Sequence, residues 1–160
     1  MRYLVRERMF GIGEDFWVEN EHGERAFLVD GKALRLRQTF ELKDSEGRVA
    51  VTVKAKAFSL RGAMRIERDG EVLATVREKP FTPMREVFHA ELPGGEELEI
   101  RGDLVGKEYD IEYGGRRLAR ISRRWFRVRE AYAVQVEAED ADPAMLIAVA
   151  VCVDQLAQRE

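Results

Sequence analysis

Ala144-Met-Leu-Ile-Ala-Val-Ala-Val-Cys-Val153 is a run of ten apolar residues, opened by Asp142-Pro143 and closed by Asp154-Gln155. It has no polar face. A helix that is apolar all round must be enclosed on every side, by lipid or by protein. Ten helical residues rise only about 15 Å, half the hydrocarbon core of a bilayer, so enclosure by protein is expected. The competing reading is a single β-strand, because Val149, Val151 and Val153 are β-branched and a short apolar run cannot be typed by periodicity alone. The flanks favour the helix. Asp142 suits an N-cap, and Pro143 suits the first helical position, where its missing N–H costs nothing. Glu139, Asp140 and Asp142 would stand near the positive end of the helix dipole.

What surrounds this segment reads as short strands. Arg2-Tyr-Leu-Val-Arg6, Phe16-Trp-Val-Glu19 and Arg25 to Asp30 come first, with a polar turn at Asn20-Glu-His-Gly23. Asp30-Gly31 and Asp69-Gly70 are hairpin dipeptides. Leu36 to Leu42 follows, and Val49 to Ala57 sets Val49, Val51 and Val53 on one face against Thr52, Lys54 and Lys56 on the other. Met64 to Arg68, Glu71 to Val76, Val87 to Ala90, Leu98 to Ile100, Tyr109 to Tyr113, Leu118 to Ser122 and Tyr132 to Val136 complete the series. Pro93-Gly-Gly95, Gly102 and Gly114-Gly115 punctuate it. About ten to twelve strands at this spacing indicate an all-β sandwich or barrel. With one apolar helix to enclose, the expected fold is an all-β barrel around a C-terminal helix.

A chain of 160 residues, 45% hydrophobic and 36% charged with four prolines, reads as one globular domain spanning 1–160. Its opening, Met1-Arg-Tyr-Leu-Val-Arg-Glu-Arg8, is too interrupted by charge for a signal peptide, which makes the cytoplasm the expected location. The single cysteine, Cys152, sits in the apolar helix and reads as a small inert hydrophobe. A net charge of −3 argues against a dedicated nucleic-acid binder. Charge is unevenly spread: from residue 130 onward seven acids face one base, which leaves residues 1–129 at +3. Arg116, Arg117, Arg120, Arg123, Arg124, Arg127 and Arg129 put seven arginines into fourteen residues.

Leu118-Ala-Arg-Ile-Ser-Arg-Arg-Trp-Phe126, Tyr132-Ala-Val-Gln-Val136, the acidic step and the helix ending at Val153-Asp154 resemble the C-terminal signature of the LURP-one-related proteins. That family is placed in the tubby C-terminal-like superfamily, with phospholipid scramblases as other relatives. Phe16-Trp-Val18, Phe27-Leu-Val-Asp-Gly-Lys32, the Asp44-to-Gly47 turn, Val53-Lys-Ala-Lys-Ala-Phe-Ser59 and Met64-Arg-Ile66 agree, so the resemblance spans nearly the whole chain. It implies a twelve-stranded antiparallel barrel closed around the hydrophobic helix. It implies little about activity, since bacterial-type members of the family have no settled function.

Candidates for chemistry are thin. His22 lies in a polar turn and His89 in a strand, with no metal-ligand spacing between them, and both are expected to be ordinary surface or sheet residues. Ser45, Ser59 and Ser122 sit in no Gly-x-Ser-x-Gly context, and Gly11-Ile-Gly13 is no dinucleotide fingerprint. Glu108, Asp110 and Glu112 alternate on one face of a strand, which reads as a solvated face. No catalytic residue, metal site or cofactor is expected.

The arginine block has a plain reading, a sheet face whose guanidiniums pair with abundant carboxylates. Its functional reading is an anion site for phosphate-bearing lipid head groups, with Trp125-Phe126 at a membrane interface. Tubby domains bind phosphoinositides through a basic strand that resembles Val51 to Phe58, so the resemblance adds Lys54 and Lys56 to Arg116, Arg117, Arg120, Arg123 and Arg124. Scramblases carry a proposed calcium segment where this chain has Glu137, Glu139, Asp140 and Asp142. The spacing here lacks the central glycine and terminal Glu of a calcium loop, and complementing the helix dipole is the expected role. The functional expectation is a non-enzymatic binding or scaffold domain, directed to anionic phospholipid or phosphoinositide at a membrane surface. The alternatives are an enzyme with an unrecognised site and a protein–protein interaction module.

Overall fold

A computed structural model describes residues 1–6, 15–30, 39–55, 62–78, 88–104, 106–124 and 131–157. Twelve strands follow in order: β1 (Arg2–Arg6), β2 (Phe16–Asn20), β3 (Arg25–Asp30), β4 (Thr39–Asp44), β5 (Val49–Ala55), β6 (Ala63–Arg68), β7 (Glu71–Glu78), β8 (Phe88–Glu91), β9 (Glu97–Asp103), β10 (Glu108–Tyr113), β11 (Arg116–Ser122) and β12 (Ala131–Val136). The helix α1 (Pro143–Ala157) comes last. Each strand pairs antiparallel with its sequence neighbours, and β1 pairs with both β2 and β12, so the sheet closes into a barrel. Among the described strands, closure leaves no edge for another chain to extend.

Period-two alternation builds the wall. Phe40 and Leu42 on β4, Val51 and Val53 on β5, and Ile111 on β10 are fully buried, while their neighbours Glu41, Thr52 and Asp110 are partly exposed. Val49 departs from the expected face and is 45% exposed. The β4–β5 register shifts between Leu42 and Lys43, which pairs Lys43 with Val49 and turns that side chain outward. Two of the expected tight turns are present. Asp69 and Gly70 have φ of 52° and 80° between the paired Arg68 and Glu71, and Gly114 and Gly115 have φ of 57° and 83° between Tyr113 and Arg116. Positive φ at both central residues matches the right-handed twist of the flanking strands. Asp30 pairs with Glu41, and the expected turn at Asp30-Gly31 falls at residues 31–38, which lie outside the described residues.

Inside the barrel, every residue of α1 from Leu146 to Val153 is at most 1% exposed. The helix packs against β5, β6, β7 and β12, where the inward side chains are mostly small or β-branched, such as Val51, Val53, Ala74, Val76 and Val134. Asp142 caps it as expected: its Oδ1 accepts a hydrogen bond from Met145 N–H at 3.3 Å. The far end differs from expectation. Asp154 does not close the helix, which runs on to Ala157, and the carboxylate is 1% exposed. It forms an ion pair with Lys107, itself 3% exposed, in the β9–β10 turn. No helix among the described residues is long and apolar enough to cross a membrane.

Candidate functional site

The arginines of β11 stand in a row of ion pairs with carboxylates of β10 and of the segment that follows β12. Arg116 Nη2 donates to Asp140 Oδ1 at 2.6 Å, and Arg117 Nε to Glu137 Oε2 at 2.6 Å. Asp110, opposite Arg120 on β10, takes Arg120 Nε at 3.0 Å on one oxygen and lies 3.6 Å from Arg117 Nη1 on the other. The Arg116 hydrogen bond holds the Asp140 carboxyl below its ordinary range, and the Glu137 hydrogen bond raises the already high Arg117. Asp142 Oδ2 receives Arg68 Nη2 at 2.6 Å. Three of the four acids in the acidic step therefore hold arginines.

Glu108, Asp110 and Glu112 share one outer face as expected, but each carboxylate is committed to a cation rather than simply solvated. Glu112 lies 3.5 Å from Arg101 Nε. Glu108 Oε1 accepts Ser122 Oγ–H at 2.9 Å and Arg123 N–H at 3.1 Å, and it is 3.7 Å from Arg124 Nε. Ser122 Oγ in turn accepts Arg124 N–H at 3.1 Å. This strand is irregular in two places. Leu118 is bulged, since Ile111 pairs with Ala119 and Glu112 with Arg117, and the chain bends at Arg123 just past the strand end.

Lys54 lies elsewhere. The ring order puts β5 six strands from β11 in either direction, on the opposite wall of the barrel. Lys54 therefore shares no patch with the arginines; its Nζ faces Glu67 at 3.3 Å, beside Arg65. Lys56, Trp125 and Phe126 lie outside the described residues.

A polar cleft of about 320 Å³ opens on the outer face of β9, β10 and β11, lined by Arg101, Gly102, Glu108, Tyr109, Asp110, Arg120, Ile121, Ser122 and Arg124. Gly102 lets β9 and β10 approach closely beneath it. Its φ is +135°, and a Cβ there would stand 2.6 Å from Glu108 O and 2.8 Å from Tyr109 Cα, its cross-strand partner. Gly102→Ala is expected to lower stability by about 1–3 kcal/mol, read as a fall in thermal midpoint. Arg101 was not singled out in the sequence, and Gly102, expected as punctuation between strands, lies inside β9. An isolated glycine inside a strand pattern marks close backbone approach, and that was the available signal.

The LURP-one-related profile matches residues 1–154. The chain belongs to this family. Among curated proteins, this LURP-one-related chain is 24% identical over 154 residues to YxjI of Bacillus subtilis strain 168, named as an uncharacterized protein; the match covers 96% of this chain and 91% of YxjI. Among solved structures, an X-ray structure of an Arabidopsis thaliana protein superposes with a TM-score of 0.69 at 15% identity, covering 98% of this chain and 90% of the plant protein. That likeness shows the fold, a closed barrel with its C-terminal helix.

Proposed function

We propose that this chain is a non-enzymatic binding domain that takes a phosphate-bearing anion, such as an anionic phospholipid head group, in the cleft between Gly102 and Arg124. The observation that supports the reading is the state of the guanidiniums there. Arg101 donates to Glu99 at 2.5 and 2.9 Å and Arg120 to Asp110 at 3.0 Å, whereas Glu108, the carboxylate nearest Arg124, already accepts hydrogen bonds from Ser122 and Arg123 N–H. Arg124 is 83% exposed at the side chain and only 3.7 Å from Glu108, so its head group can turn to a ligand at little cost. Clustered guanidiniums suit phosphate because each presents paired N–H donors to two oxygens. Use of the same cleft by an enzyme is the weaker reading. Ser122 donates to Glu108 but is only 2% exposed, which leaves its Oγ little access to a substrate, and among the described residues no histidine lines the cleft.

Vesicle co-sedimentation tests the reading. Vesicles containing phosphatidylserine or a phosphoinositide are expected to bind more tightly than pure phosphatidylcholine, and binding should fall steeply as salt rises. Arg101→Glu with Arg124→Glu should weaken binding at least about tenfold, since each basic side chain near an anionic surface contributes on the order of 1 kcal/mol. The thermal midpoint should barely move, because exposed ion pairs contribute little. Lys54→Glu, on the far wall, should leave binding unchanged. Equal binding to neutral and anionic vesicles would sink the proposal.

A further inference from the structure

His89 and Glu91 are two residues apart on β8 and share its outer face, and Glu97 stands directly across from Glu91 on β9. Their polar atoms converge. His89 Nε2 lies 3.2 Å from Glu91 Oε1 and 3.8 Å from Glu97 Oε1, and the three atoms fall within 4.8 Å of one another. Two donors bound to one tetrahedral zinc at about 2.0–2.2 Å are roughly 3.3–3.6 Å apart, and the two histidine distances bracket that spacing.

The burial of the ring adds an independent observation. His89 is 5% exposed although it points away from the barrel interior, and its Nδ1 has no hydrogen-bond partner. Packing around the buried ring, rather than a hydrogen bond at Nδ1, holds Nε2 toward the two carboxylates. One proton on Nε2 reaches only Glu91, since 3.8 Å is too long for a hydrogen bond to Glu97. Arg77 Nη2 meets Glu91 at its other oxygen, 3.4 Å away, which leaves Oε1 of Glu91 toward the ring. A divalent ion in place of that proton takes the imidazole lone pair and neutralises both carboxylates.

We propose that His89, Glu91 and Glu97 form a binding site for a divalent first-row transition ion, with zinc as the reference. One imidazole nitrogen and two carboxylate oxygens favour zinc, cobalt or manganese over calcium, which takes oxygen donors. The two carboxylates are 42% and 40% exposed at the side chain, so the ion enters from solvent and keeps an open coordination position there. The site does not depend on the anion cleft. Competing protein donors are few: Cys152 is fully buried and its thiol is pushed up by that burial, while His22 is exposed beside Glu21 in a turn.

Calorimetric titration of the chelator-stripped protein with zinc chloride is expected to show a single equivalent bound, with magnesium and calcium binding at least about tenfold more weakly. Cobalt(II) should give visible absorption bands of a low-symmetry N/O site. Glu97→Gln, at a side chain 40% exposed, should weaken zinc at least about tenfold while leaving the thermal midpoint of the metal-free protein nearly unchanged. His89→Gln should remove the cobalt bands, and His22→Ala should leave both signals unchanged. Absence of zinc uptake would overturn the site. So would zinc uptake that is the same in Glu97→Gln, or calcium binding as tight as zinc, which would reduce the cluster to a pair of surface acids.

Discussion

Val149→Asp is expected to leave the chain without a folded state. Val149 sits at the middle of α1 and is fully buried, in a segment where Leu146 to Val153 contains no polar side chain. The substitution forfeits about 1.5–3 kcal/mol of apolar burial and places a carboxylate among hydrocarbon, which costs several kcal/mol more even when the group protonates. An ordinary domain has only about 5–15 kcal/mol in total. Because the helix is the barrel's core, no local rearrangement can expose position 149 to water without opening the wall. The expected result is recovery in the insoluble fraction, or a soluble chain with no cooperative thermal transition by circular dichroism. A Val149→Asp protein that stays soluble and melts cooperatively would show that the helix is not enclosed.

The architecture was legible because its signals are local and mutually consistent. Ten apolar residues without a polar face define what must be enclosed, and period-two strands separated by Gly-rich turns define what encloses it. Even the hairpin at Asp69-Gly70 could be placed from a dipeptide. Errors came where one residue changes a register. Val49 fits the alternation of Val51 and Val53 in sequence, yet the shift opposite Lys43 turns it outward. Asp154 looked like a polar stop because a carboxylate ordinarily is one, and its cation, Lys107, is 47 positions earlier in a turn between two strands.

The candidate site residues were legible only as a composition. Arginine spacing on β11 was visible, whereas their partners were not, since Asp110, Glu137 and Asp140 are brought beside them by strand pairing and by the step into α1. The suggested union of Lys54 with the arginines failed on topology, because residues in two basic stretches of one chain share a patch only if the ring order makes their strands neighbours. His89 was set aside for want of a second histidine at ligand spacing. Its partners Glu91 and Glu97 are an i+2 neighbour and a residue returned across the Pro93-Gly-Gly95 turn, a relation that sequence spacing expresses only once the hairpin register is known.

Lys107→Met is expected to destabilise the barrel by about 3–5 kcal/mol, the usual cost of removing one member of a buried ion pair. Lys107 is held at φ +57°, a left-handed conformation that costs a non-glycine residue on the order of 1–2 kcal/mol. The β9–β10 turn keeps that strain while directing the ammonium at Asp154 on α1. Methionine preserves the strained backbone and most of the stem but deletes the charge, so the loss reports on the charge alone. Asp154 would remain 1% exposed in the wild-type geometry with its cation gone. Asp154→Leu alone should cost a similar amount for the converse reason, by stranding the Lys107 ammonium. The double variant should recover most of the loss, because replacing a whole buried pair with packed apolar groups is often near neutral. Chemical denaturation of the four proteins closes the cycle, and a coupling of at least about 2 kcal/mol is expected. Additive losses would mean that Lys107 and Asp154 act independently, and that the turn is not fastened to the helix through this pair.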